Sequence, residues 1–138
     1  MTTVILLLLT ALLWGSSPIL EKIGLGKTDP LTAVTIRSLA VTVILLIFIT
    51  VTGKIRDILS VDLKSVAIFS ISGFLAGFLG MWTYFGALKL GATSKIVPIA
   101  AAYPLVTAIL SVIILREGVT VVRLIGTLLI ISGIWLVR

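Results

Sequence analysis

Long apolar runs separated by short polar stretches dominate the chain. A membrane-spanning helix needs about 20 mostly apolar residues at a rise of about 1.5 Å each, and five such runs follow one another. They cover residues 4–23, 31–51, 65–88, 96–115 and 120–137. Charged residues gather mainly between the runs, as loops at a membrane surface require. The pattern predicts an all-α integral membrane protein, a bundle of five transmembrane helices in a single domain over residues 1–138.

The connections between the runs carry turn and helix-start residues. Glycines follow the first run, and Pro30 suits the first turn of the second helix, where its missing N–H costs nothing. The longest polar connection, residues 52–64, has apolar residues at a spacing that predicts a short turn at the membrane interface.

Composition excludes several classes of protein. Of the 138 residues, 59% are hydrophobic and 12% charged, whereas about 25% are charged in soluble domains. The net charge of +6 has no continuous basic patch with interleaved aromatics, so we expect lipid headgroups and not nucleic acid as its partner. With no cysteine or histidine, disulfides, a Ser-His-Asp triad and the usual zinc site are excluded. We expect neither an enzyme nor a bound metal or cofactor.

The basic residues of the loops give no preferred orientation. Five spans place the termini on opposite sides of the bilayer, and the side with more Lys and Arg normally faces the cytoplasm. The N-terminal side carries Lys54, Arg56, Lys64, Arg116 and Arg123, and the other side carries Lys22, Lys27, Lys89, Lys95 and Arg138. A dual-topology protein that pairs as an antiparallel homodimer shows such a balance, although a few short loops can also balance by chance.

Helix-breaking and polar residues inside the first span are candidates for function, because lipid offers no hydrogen bonds to freed backbone groups. Pro18 cannot bond the carbonyl of Trp14 and predicts a kink, with Ser17 beside it. A kink packed by neighbouring helices, without a ligand, explains the same residues. Glu21 and Lys22, near the end of this span, are explained by an interfacial position.

The fourth span contains two prolines. Pro98 and Pro104 predict an interrupted helix, and transporters present backbone polar groups to substrate from such helices. The Tyr103 hydroxyl adds a donor there. A kinked helix without a ligand is the alternative.

Arg37 is the one basic residue well inside a span, and its burial requires a partner. An anionic substrate group is one partner. Helix-end carbonyls or Glu117 of a packed helix are the structural alternatives, which the sequence favours.

The third and fifth spans carry packing signals. Small residues let helix backbones approach closely, and they occur here at Gly73, Gly77, Gly80, Gly126 and Gly133. Tyr84 belongs to an aromatic set with Trp82 and Phe85 that either packs in the core or lines a cavity. No acidic residue lies near the middle of a span, which counts against proton antiport through such a residue.

A series of residues spaced over the whole chain carries a family resemblance. In order come Ala11 with Trp14 and Gly15, Lys22, Pro30 with Arg37 seven positions later, Tyr84 with Ala87, Leu88 and Ala92, Pro98, Pro104, Leu115 with Glu117, and Gly126 with Gly133. Together they resemble the EamA domain of the drug/metabolite transporter superfamily. The resemblance implies two such domains in tandem in most members and export or import of small metabolites. With one domain, this chain is expected to pair with itself or with a second half-size subunit.

The resulting hypothesis is a cell-membrane, multi-pass secondary transporter of small organic metabolites that works as a dimer by alternating access. The expected cavity residues are Trp14, Ser17, Arg37, Tyr84 and Tyr103. The alternative is an accessory or structural membrane subunit, or one half of a lipid-carrier flippase, without transport activity of its own. The chain resembles half-size lipid-carrier flippase subunits more weakly. The chain also resembles small multidrug resistance proteins, but it has Trp14 and Ser16 where those proteins carry a membrane-embedded glutamate.

Overall fold

The computed structural model describes residues 1–118 and 120–137, and their regular elements are all helical. In chain order they are α1 (Thr2–Gly24), α2 (Pro30–Val51), α3 (Ile55–Leu59), α4 (Leu63–Ser72), α5 (Met81–Leu90), α6 (Thr93–Ala100), α7 (Tyr103–Leu115) and α8 (Val121–Val137). Residues Gly73–Gly80 are π-helical, so that α4, this π-helical segment and α5 form one uninterrupted helix, Leu63–Leu90. Arg138, one of the interface charges counted above, lies outside the described residues.

Four helices of the described residues are long and apolar enough to cross a membrane. They are α1, α2, the helix Leu63–Leu90 and the helical stretch Thr93–Leu115. The fifth predicted span exists as helix α8, but its 17 residues extend only about 26 Å at the α-helical rise. The all-helical membrane class is therefore confirmed, whereas the count of five spans is not.

Two aspartates fix the starts of long helices. Asp29 is the N-cap of α2 and accepts a hydrogen bond from the backbone N–H of Thr32, with Pro30 in the first turn as predicted. Asp62 caps α4 in the same way, accepting from the backbone N–H and the hydroxyl of Ser65. Hydrogen bonds from Thr32 lower the pKa of Asp29, and those from Ser65 lower the pKa of Asp62. Both carboxylates therefore stay charged at the helix N-termini, where negative charge is stabilising.

The fourth predicted span is divided into two helices. It begins at Thr93, three residues before the expected start, and α6 ends at Ala100 while α7 begins at Tyr103. Pro104 lies in the first turn of α7, where it has no N–H to continue the ladder of α6. The interruption thus falls between Pro98 and Pro104.

The chain divides into two compact units, unit 1 (Met1–Lys89) and unit 2 (Leu90–Arg138). The buried residues of the described chain all belong to unit 1, and they are Pro18, Leu25, Val34, Phe85 and Leu88. They lie near the end of α1, the start of α2 and the end of α5. We call this region the packed end of unit 1. In unit 2, α6 packs against α8.

Candidate substrate site

A carboxylate at the packed end of unit 1 gathers polar groups from two helices. Glu21, on the last turn but one of α1, accepts a hydrogen bond at Oε1 from the hydroxyl of Ser17, 2.8 Å away and one turn earlier. Arg37 of α2 places its Nε 3.6 Å from the same oxygen. The Glu21 side chain is only 11% exposed, whereas that of Arg37 is 44% exposed, so that the carboxylate is shielded and the guanidinium stays accessible.

The pair follows from the chain reversal between α1 and α2. Arg37 lies seven residues after the first residue of α2, about 10 Å along its axis. A guanidinium at that depth is costly unless it is paired. Within unit 1 its partner is the carboxylate of Glu21, a residue that the sequence did not propose beside helix-end carbonyls and Glu117. Glu21 is therefore the ion-pair partner of Arg37 and not simply a charge at the membrane interface.

Tyr84 of α5 completes this group of residues. Its side chain is half-buried and interacts electrostatically with Glu21, and its ring centroid lies 6.1 Å from that of the buried Phe85. We call Ser17, Glu21, Arg37 and Tyr84 the Glu21 cluster. It brings together three of the five residues that the sequence predicts for a cavity.

The other two predicted cavity residues are exposed. Trp14 is 66% exposed and Tyr103 is 57% exposed, and Tyr103 belongs to unit 2. Trp82 does not join Tyr84 either, because its ring stacks on Phe78 with an interplanar angle of 1° and a centroid distance of 6.0 Å. The aromatic set expected from the sequence therefore divides between two pairs of rings.

Two lysines form hydrogen bonds between the helix ends next to the Glu21 cluster. The Lys22 ammonium donates to the backbone carbonyls of Leu88 and Lys89 at the end of α5. The Lys89 ammonium in turn donates to the carbonyl of Thr28, 2.8 Å away in the connection between α1 and α2. The last carbonyls of a helix lack partners within it and carry partial negative charge, so these bonds fix α5 to α1 and to the start of α2.

Each unit also has an open, mostly apolar groove. The groove of unit 1, about 500 Å³, lies along the second half of α2 and is bounded by Lys54 and Ile58. The groove of unit 2, about 320 Å³, lies between α7 and α8 and has Glu117 and Arg123 at its polar edge. Neither groove is lined by a residue of the Glu21 cluster, by Trp14 or by Tyr103.

The glycines predicted to pack helices have space around them in the described chain. A Cβ added at Gly73, Gly77, Gly126 or Gly133 would meet no atom within 4 Å, whereas one at Gly80 would lie 3.1 Å from the carbonyl oxygen of Leu75. Close packing at the first four positions therefore remains a prediction about a partner or another arrangement of the helices. Among the described residues, no group of three or more Cys, His, Asp and Glu side chains is placed to hold a metal.

Glu21 is the site residue that sequence reasoning missed. Two signals in the sequence point to it: its position one helical turn after Ser17, and the need of Arg37 for an acid. Its nearness to the end of the span made an ordinary interfacial role the simpler interpretation. What the sequence does not supply is the geometry of the α1–α2 connection, which brings Arg37 to Glu21.

The long apolar helices are those of an integral membrane protein, and the Glu21 cluster places charged and hydroxyl groups on these helices. The sequence profile of the EamA-like transporter family matches residues 1–138, and the chain belongs to this family. The resemblance inferred from the sequence is thereby confirmed, and with it the broad class of membrane transporter of the drug/metabolite superfamily. The chain is also 30% identical over 133 residues to an uncharacterized protein of Methanocaldococcus jannaschii, covering 96% of this chain and 93% of that protein. No solved structure matches it.

Proposed function

We propose that the protein is a secondary transporter of small organic metabolites in the cell membrane, with a substrate path beside the Glu21 cluster. Family membership supports a transporter. The observation that carries the location is the Glu21–Arg37 pair, because ionisable residues within membrane spans are costly and usually mark a substrate or ion path. Ser17 and Tyr84 supply hydroxyl groups at the same place.

We further propose that two half-units, each with five spans, assemble into one transporter. The chain carries a single family domain, and transporters commonly place their substrate site between two structural repeats. The balanced loop charges fit an antiparallel homodimer, in which a second copy supplies the inverted repeat. The open surroundings of Gly73 and Gly77 in the described chain leave room for a partner helix.

Alternating access needs helices that can bend, and two places fit this need. The interruption at residues 101–102 separates α6 from α7, and the π-helical segment Gly73–Gly80 interrupts the regular α-helical hydrogen-bond pattern. In the proposed cycle, the helices bend at these two places, while the hydrogen bonds of Lys22 and Lys89 keep the packed end of unit 1 together.

Reconstitution tests this function directly. The purified chain is placed in liposomes loaded with a mixture of small metabolites, and their release is followed by mass spectrometry against protein-free liposomes. We expect protein-dependent release of a subset, slowed about tenfold in Tyr84→Phe or Arg37→Lys, since each loses a directed polar contact worth about 1.4 kcal/mol. Release that equals the protein-free control in both loading directions contradicts the proposal. A stoichiometric second polypeptide or a bound polyprenyl lipid in the purified material favours the accessory or flippase-subunit alternative.

A further inference from the structure

The Glu21 cluster has the donors of a carboxylate-binding site, and they hold a carboxylate of the protein itself. A guanidinium and a hydroxyl, from Arg37 and Ser17, converge on one oxygen of Glu21. Proteins bind the carboxylates of small molecules with the same two kinds of donor. We propose that a small organic solute bearing a carboxylate displaces Glu21 from Arg37 and Ser17, so that Glu21 is an internal stand-in for the substrate. The inference rests on the proposed transport function and adds the class of substrate.

The geometry of the ion pair favours such an exchange. The distance of 3.6 Å between Arg37 Nε and Glu21 Oε1 is longer than a hydrogen bond, and a guanidinium has five N–H donors to offer a ligand. Within the described residues, Arg37 makes no other ion pair. Its side chain is 44% exposed, which gives a ligand access. A free carboxylate can approach the two Nη groups side by side, the strongest arrangement for this pair, whereas Glu21 is tethered to α1.

The charges around the cluster favour an anion over a cation. At this end of unit 1, the ends of α1 and α5, the connection and the first turns of α2 carry four cations and two acids. They are Lys22, Lys27, Arg37 and Lys89 against Glu21 and Asp29. A surplus of positive charge near apolar walls raises the local concentration of anions. A cation would instead have to reach Glu21, which is 11% exposed and already contacted by two partners.

Binding to the purified protein in detergent tests the exchange, with the thermal unfolding midpoint as readout. The probes are benzoate and succinate, each compared with its uncharged amide, benzamide or succinamide. A ligand that binds only the folded state raises the midpoint, so we expect a rise with both carboxylates and none with the amides. Glu21→Gln removes the internal competitor and should tighten carboxylate binding about fivefold, which corresponds to about 1 kcal/mol.

Variants of Arg37 test the site itself. Arg37→Gln should abolish the carboxylate effect. Because that change leaves Glu21 without its cation, the double variant Glu21→Gln/Arg37→Gln, which removes both charges, keeps the test valid if the single variant does not fold. Lys54→Gln, at the opposite end of α2, removes one positive charge elsewhere in unit 1 and should leave carboxylate binding unchanged.

Four results overturn the inference. Three of them are no stabilisation by either carboxylate, equal stabilisation by the amides, and carboxylate binding that survives in the double variant. Weaker binding in Glu21→Gln also overturns it, since Glu21 would then be a ligand and not a competitor. The liposome assay separates this inference from the proposed function. If carboxylates bind through Arg37 but no solute is transported, the carboxylate site stands and the transport function is rejected. If uncharged solutes are transported equally well by the double variant, the transport function stands and the carboxylate site is rejected.

Discussion

Arg116 ends α7 in the left-handed conformation, with φ 55° and ψ 33°, where a side chain is strained and glycine is favoured. Replacing Arg116 with Gly should therefore stabilise the protein by up to about 1 kcal/mol, the typical cost of a non-glycine residue in this region. The free energy of unfolding in mixed micelles measures the change. Arg116→Gln is the matched control, because it removes the charge and keeps the strain. Equal stabilisation by both variants would mean that charge, not backbone conformation, is responsible.

At the scale of single residues, the sequence predicts which side chains matter better than it predicts their partners. Ser17, Arg37 and Tyr84 stand out because each is polar within an apolar span. Glu21, which is contacted by both Ser17 and Arg37, does not stand out in the sequence, because a charge near a helix end has an ordinary explanation. The pairing depends on how α2 turns back beside α1, and hydropathy contains no information on that geometry.

At the scale of elements, the π-helical segment makes a specific prediction. Gly80 would place a Cβ 3.1 Å from the backbone oxygen of Leu75, closer than ordinary van der Waals contact. Gly80→Ala should therefore distort this segment and destabilise the protein by about 1 kcal/mol, the lower range for overpacking. The unfolding midpoint in micelles and the helical circular dichroism measure this effect.

Gly77→Ala is the matched control within the same segment. Its added Cβ would meet no atom within 4 Å, and Ala is a better helix former than Gly by about 1 kcal/mol, so stability should be unchanged or raised. If both variants lose the same stability, the close contact at Gly80 is not the cause of the loss. If Gly77→Ala instead lowers only the dimeric fraction, it supports packing of Gly77 against a second copy.

Helix positions were largely predictable because long apolar runs have one stable solution in lipid. The first run was expected at residues 4–23 and forms α1, Thr2–Gly24; the second, 31–51, forms α2, Pro30–Val51. The π-helical segment was not predictable, because an apolar run has the same hydropathy pattern whether its backbone hydrogen bonds join residues four apart or five apart. The last run gave a helix of the expected position, but α8 starts at Val121 and falls short of the four longer spans.

At the scale of the whole molecule, the balanced loop charges predict that the protein inserts in both orientations. The chain has no cysteine, so single cysteines at Lys27 and at Lys54 report the two sides without interference. Lys27 is preferred to Lys89, whose ammonium bonds the Thr28 carbonyl and helps to hold the packed end of unit 1. With a membrane-impermeant thiol reagent on intact cells, we expect each variant to label in about half of the molecules, because neither side has the excess of basic residues that sets orientation.

Full labelling at one position and none at the other would show a single orientation. The inverted repeat would then have to come from a second, oppositely inserted subunit, and the search for that partner would replace the homodimer as the basis of the transport cycle.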